Sequence, residues 1–95
     1  MRDALVHKAQ VIVTGNLPKG MYRMFLFGSR STAVHHRYSD IDIGIEGKTP
    51  VPTSIMARIT DALEESDLPV RVDVVDFSRV TPEFAKVANQ TRIAL

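Results

Sequence analysis

Asp40-Ile41-Asp42 lies in the run Ser39-Asp40-Ile41-Asp42-Ile43-Gly44-Ile45, whose alternation reads as a strand. Alternation sends both carboxylates to one side and Ile41, Ile43 and Ile45 to the other. Two like charges so close repel each other unless water, a basic side chain or a bound cation offsets them. A hard divalent cation, with its preference for oxygen ligands, suits the pair best. A third acid stands in Val70-Arg71-Val72-Asp73-Val74-Val75, a second strand with Val70, Val72 and Val74 on one face and Arg71, Asp73 and Val75 on the other. If its valines meet the same core, Asp73 joins the acidic side. Three carboxylates around a cation pair are the apparatus of phosphoryl transfer: the ions bind nucleotide phosphates and activate a hydroxyl, and one acid can act as base. Asp61 and Asp76 are assigned instead to solvated or edge positions, Asp76 falling with the valine face or at the strand end.

These acids need elements to position them. Tyr22 to Phe27 is short, aromatic-rich and bounded by Gly20 and Gly28, which predicts a buried strand that aims the Gly28-Ser29 pair. A helix opening near Ser29 would offer free backbone N–H groups and a positive dipole end to a phosphate. Gly28 permits close backbone approach, the Ser29 hydroxyl adds a hydrogen bond, and Arg30 is a candidate phosphate contact. With His35, His36 and Arg37, Arg30 makes the following spacer the most basic stretch. The histidines lack the i, i+4 spacing of a metal-binding helix, and without interleaved aromatics the stretch is a poor nucleic-acid signature, so a solvated loop is expected.

Leu5, Ala9, Ile12 and Val13 form a helical stripe over Asp3 to Thr14, with Asp3 as N-cap and Gly15 to Pro18 as terminator. His7 on this helix is read as structural or solvent-facing. Ile55, Ile59, Ala62 and Leu63 mark a second helix, and Thr81-Pro82-Glu83 opens a third whose apolar face is Phe84, Val87 and Ala88. Gly47-Lys48-Thr49 is not a P-loop, since Gly44 and Gly47 do not supply the glycine spacing that motif needs. Helices alternating with strands give an α/β sheet.

Ninety-five residues are read as one small domain over 1–95, with 44% hydrophobic and 24% charged residues like an ordinary globule. A net charge of +1 neither requires nor excludes an anionic partner. With no cysteine, disulfides and thiolate metal sites are excluded. No apolar run approaches the roughly 20 residues of a membrane span, and no signal-peptide core is present, so the expected location is cytoplasmic.

The ordered set of strand, Gly28-Ser29, ten spacer residues (Arg30 to Ser39), Asp40-Ile41-Asp42 and Asp73 resembles the minimal nucleotidyltransferases of the DNA polymerase beta-like superfamily, from Tyr22 to the last helix. Many relatives follow Gly-Ser-Arg with a small residue, a basic residue and a glycine, where this chain has Ser31-Thr32-Ala33. The resemblance implies a mixed α/β (α+β) sheet of polymerase beta palm type with helices on one face, and an open face carrying the three aspartates. It further implies Mg²⁺, one or two ions held by Asp40, Asp42 and Asp73, with ATP seated by Gly28, Ser29 and Arg30. Asp73 would also take the acceptor hydroxyl's proton. Small members are similar to antitoxins that pair with a helical toxin of the HEPN type and adenylylate a tyrosine on it. The alternative is a non-catalytic nucleotide-binding subunit that neutralises its partner by occlusion. A small-molecule acceptor such as an aminoglycoside is disfavoured, since no second domain exists to hold it.

Overall fold

The computed structural model describes residues 3–32 and 39–95. Helix α1 (Ala4–Thr14) starts where Asp3 accepts bonds from the Leu5 and Val6 amides, an N-cap set by the sequence. Its buried stripe is Val6, Ala9 and Val13, with Leu5 packed at the margin. The predicted stripe was thus turned slightly: Val6 takes the interior place expected for Ile12.

Strand β1 (Tyr22–Phe27) leads into a single 3-10 turn, Gly28–Ser31, rather than the expected helix. Two hydroxyls close that turn locally. Ser31 donates to the Gly28 carbonyl and Thr32 to the Ser29 carbonyl, so the Ser31-Thr32 departure has a structural use. The chain returns as β2 (Ile41–Gly47), continues through α2 (Thr53–Glu65) to β3 (Val72–Asp76), then α3 (Pro82–Asn89) and a short β4 (Ile93–Ala94) that the sequence reading missed. Two residues are too few to show an alternation.

The sheet order is β3-β2-β1-β4. β1 is antiparallel to β2 and β4, while β2 and β3 are parallel, the pair that the α2 crossover permits. Ile41, Ile43 and Ile45 are completely buried and pack with Val6, Ala9 and Val13 of α1 and Ile59 of α2, so both long helices cover one face. Val70, Val72 and Val74 join this core as their alternation predicts.

The opposite face is less open than a bare layering implies. Phe25, Phe27, Val75 and Phe77 form a second apolar cluster there, and α3 rests on it through Ala88. Gly44 makes this possible, because a Cβ at that position would meet the Phe25 ring at 2.3 Å and the Phe77 ring at 2.8 Å. Phe25 and Phe77 meet edge to face with centroids 4.6 Å apart, and the Arg92 guanidinium lies 3.8 Å from the Phe25 ring centre while bonding Glu46 through both terminal nitrogens. What remains uncovered is the end of the sheet where β1 finishes and β2 and β3 begin.

Candidate active site

That uncovered end holds the acids. Asp42 stands directly beside Asp73 across the parallel β2–β3 ladder and opposite Phe27 across the antiparallel one. Adjacent strands lie about 4.8 Å apart, so Asp42 and Asp73 leave the sheet on one face as close neighbours. The Ile41 amide donates to the Arg71 carbonyl at 2.9 Å, which pins the register at this end. Asp40 precedes β2 and is exposed. Burial raises the Asp42 carboxyl above its ordinary 3.8, the nearby Asp73 and Asp40 charges raise it further, and Arg71 offsets part of this. Asp73 and Asp40 thus both act electrostatically on Asp42.

Gly28 forms the wall against which Asp42 rests. Its φ of +74° is the left-handed conformation that glycine adopts without penalty. A Cβ there would also fall 2.3 Å from Asp42 Oδ2. Two independent reasons thus demand glycine, and the predicted Gly-Ser turn and Asp-x-Asp strand meet at that contact. Ser29 is exposed on the same turn.

Arg30 departs from its expected place. Its side chain is 1% exposed, pairs with Asp3 through Nη1 and donates from Nε to the Ser39 carbonyl at 2.8 Å. Asp3 caps α1, on the helix-covered side, so this guanidinium ties turn, spacer end and helix together instead of facing a phosphate beside Ser29. The neighbouring acid cap offers a buried cation a stronger partner than an exposed turn does. Asp76 also needs correction. Only 6% exposed, it accepts from the Val51 amide at 2.8 Å and from the Ser78 amide and hydroxyl at 2.9 and 2.7 Å, and pairs with Arg79 at 3.3 Å. Burial pushes its carboxyl up, but these bonds outweigh it and hold the group below 3.8. It is a structural anchor at the end of β3, the place its alternation allowed, but its partners lie outside its strand and the solvated reading fails.

Arg71 is the site residue that the sequence reading placed on the acidic face without giving it a task. Its Nε lies 3.1 Å from Asp73 Oδ1, with the Arg71 side chain 73% exposed. Among the described residues, no three acidic or histidine side chains stand in ready metal-holding geometry. Asp73 is turned to Arg71, and exchanging so exposed an ion pair for a cation costs only about 1 kcal/mol or less. The donor set itself, carboxylate oxygens with excess negative charge at Asp42, fits a hard divalent cation. Ala33, His35, His36 and Arg37 lie outside the described residues.

A β-sheet carrying paired acids beside a Gly-Ser turn defines a nucleotidyltransferase-type domain, and the polymerase beta nucleotidyltransferase family ("Polymerase beta, Nucleotidyltransferase") matches residues 18–95. The chain belongs to that family. It is 31% identical over 74 residues to a Haemophilus influenzae protein described as "Probable protein adenylyltransferase MntA", a match covering 78% of this chain and 65% of that protein's length. Among solved structures, a chain of a toxin-antitoxin crystallised with AMP-PNP is 26% identical with a TM-score of 0.74, covering 94% of this chain and 70% of the other. A chain from the complex of a tri-AMPylated Shewanella oneidensis HEPN toxin with an MNT antitoxin is 22% identical with a TM-score of 0.72, covering 99% and 71%, and shares the fold. The expected mixed sheet of this family is thus the observed one. No helix among the described residues is long and apolar enough to cross a membrane.

Proposed function

We propose that this domain is a Mg²⁺-dependent nucleotidyltransferase that moves AMP from ATP onto a tyrosine hydroxyl of a HEPN-type toxin, acting as its antitoxin in the cytoplasm. The observation that supports it most is Asp42, pressed against Gly28, in register with Asp73, its carboxyl raised by burial and then by Asp73 and Asp40. Bound Mg²⁺ would supply positive charge to the phosphates and to the developing leaving group. Asp40 and Asp42 would hold it, with Asp73 completing the set once released from Arg71. The Gly28-Ser29 turn would seat the triphosphate. Asp73 would accept the proton as the acceptor oxygen bonds to the α-phosphorus, the α–β phosphoanhydride bond breaks and pyrophosphate leaves. The relatives named as a protein adenylyltransferase and as toxin–antitoxin complexes support the choice of acceptor.

Incubation with labelled ATP, Mg²⁺ and the co-purifying protein tests this. Label should appear on the partner and fall at least about 100-fold with Asp42→Asn, a loss typical of removing transition-state charge stabilisation. Equal inhibition of the partner by wild type and Asp42→Asn, with no label transferred, would establish occlusion instead.

A further inference from the structure

β3 ends the sheet on one side, paired with β2 and, among the described residues, with no strand on its outer edge. The Ile41 amide donates to the Arg71 carbonyl and the Phe77 amide to the Ile45 carbonyl, both at 2.9 Å. In a parallel ladder these two bonds fix the alternation between them: Arg71, Asp73, Val75 and Phe77 turn their peptide groups to β2, while Val72 and Val74 turn theirs outward. Neither proline nor a bulge guards this edge. Beside it runs a concavity of about 440 Å³. Leu63 and Leu68 line it together with Val72 and Val74, and its lining also reaches Arg71 and Asp73. An occupant of this groove therefore touches the apolar side and the acidic side of β3 at once.

We infer that the outer edge of β3 receives the acceptor segment of the partner polypeptide as an added antiparallel strand, with the acceptor tyrosine opposite Asp73. The inference rests on the transfer reading above and deepens it by stating how the hydroxyl is delivered. Antiparallel pairing is the sturdier kind per residue. Residues opposite Val72 and Val74 exchange backbone bonds with them and, sharing their face, send apolar side chains into the groove beside Leu63 and Leu68. The residue between them stands opposite Asp73 on the acidic face, in the non-hydrogen-bonded kind of pair whose Cα atoms are only about 4.5 Å apart. Asp42 lies one strand further in, about 4.8 Å beyond Asp73, so the hydroxyl must be carried on a long side chain. Tyrosine spans that gap and serine does not. Arg71, exposed and two residues before Asp73 on the same face, gives up its partner when Asp73 turns to a cation. It then faces the position two residues after the tyrosine, where an acid complements it.

The blocked peptide Lys-Gln-Val-Tyr-Val-Glu-Lys, whose valines would face Val72 and Val74, tests this on the unaltered protein. With labelled ATP and Mg²⁺ its tyrosine should take label faster than free tyrosine amide does. N-methylation of both valines removes the two donors aimed at β3 and should cut labelling about tenfold, whereas N-methylation of the tyrosine, whose N–H points away, should change it by less than about twofold. In amide hydrogen exchange followed by NMR without ATP, saturating peptide should slow Val72 and Val74 and leave Asp73 and Val75, already paired with β2, unchanged. Equal labelling of the peptide and its valine-methylated form, equal loss from both methylated forms, or no protection at Val72 and Val74 would overturn the edge site, even where the co-purifying partner is labelled. Protection of both amides with label on neither peptide nor partner would overturn the transfer reading and, with it, the assignment of this edge to an acceptor.

Discussion

A Cβ on residue 28 would sit 2.3 Å from Asp42 Oδ2 at a backbone φ of +74°, so Gly28→Ala meets two penalties at once. The backbone term is about 1–2 kcal/mol. Displacing a carboxylate by more than an ångström is the graver effect for chemistry, because metal sites tolerate only small errors in ligand position. Urea unfolding of Gly28→Ala should show a loss of about 2 kcal/mol, and titration with Mg²⁺ and ATP should show affinity reduced at least about tenfold. Affinity equal to wild type would mean that Asp42 does not need its observed place.

Elements here are joined by buried charges more than their sequences reveal. Arg30 fastens α1 to the turn and to Ser39, and Asp76 fastens the segment before α2 to the end of β3. Removing the guanidinium should loosen the seam between helix and turn. Arg30→Ala is expected to cost about 3 kcal/mol in denaturant unfolding, as for one member of a buried pair, with affinity for inorganic triphosphate nearly unchanged in the folded fraction. A large loss of triphosphate affinity without a stability change would return Arg30 to the phosphate seat. Asp76→Ala strands the buried Val51 amide and should cost a similar ~3 kcal/mol, read from the unfolding midpoint in urea. Both arrangements eluded the sequence for one reason. Alternation tells which face a strand residue takes, but not that an acid on the core face at Asp76 will find Val51 and Ser78 waiting, or that Asp3 will stand under Arg30.

In the whole molecule, the acids at the open sheet end work against folding while the Asp76 anchor works for it. Asp42 has a folded-state pKa above its unfolded 3.8, so the folded form holds its proton more tightly. Stability from this group is present below 3.8, declines as pH rises through the raised value, and stays lost at neutral pH. Asp42→Asn should therefore raise the metal-free Tm at pH 7, an advantage that disappears below the unfolded pKa. Mg²⁺ should raise the Tm of wild type and leave that of the variant unmoved. Asp76, held below 3.8, acts in the opposite sense: its stabilisation is full above 3.8 and is lost as pH falls through its depressed value. A thermal melt series in pH, with and without Mg²⁺, separates the two. A wild type no less stable than Asp42→Asn at pH 7 would contradict the strain assigned to the acid cluster.

Much of this architecture could be written down before any coordinates. Asp3 as cap, the isoleucine and valine faces, Thr81-Pro82 as a helix start, and the common side of Asp42 and Asp73 are all consequences of local periodicity and backbone preference, forces that act over a few residues and leave a pattern in the chain. The burial of Arg30, the anchoring of Asp76, the β4 edge and the seating of α3 on the phenylalanine cluster arise from contacts across dozens of residues. Such contacts depend on which surfaces meet once the sheet has formed, and a charged or apolar side chain carries no mark of the partner that awaits it.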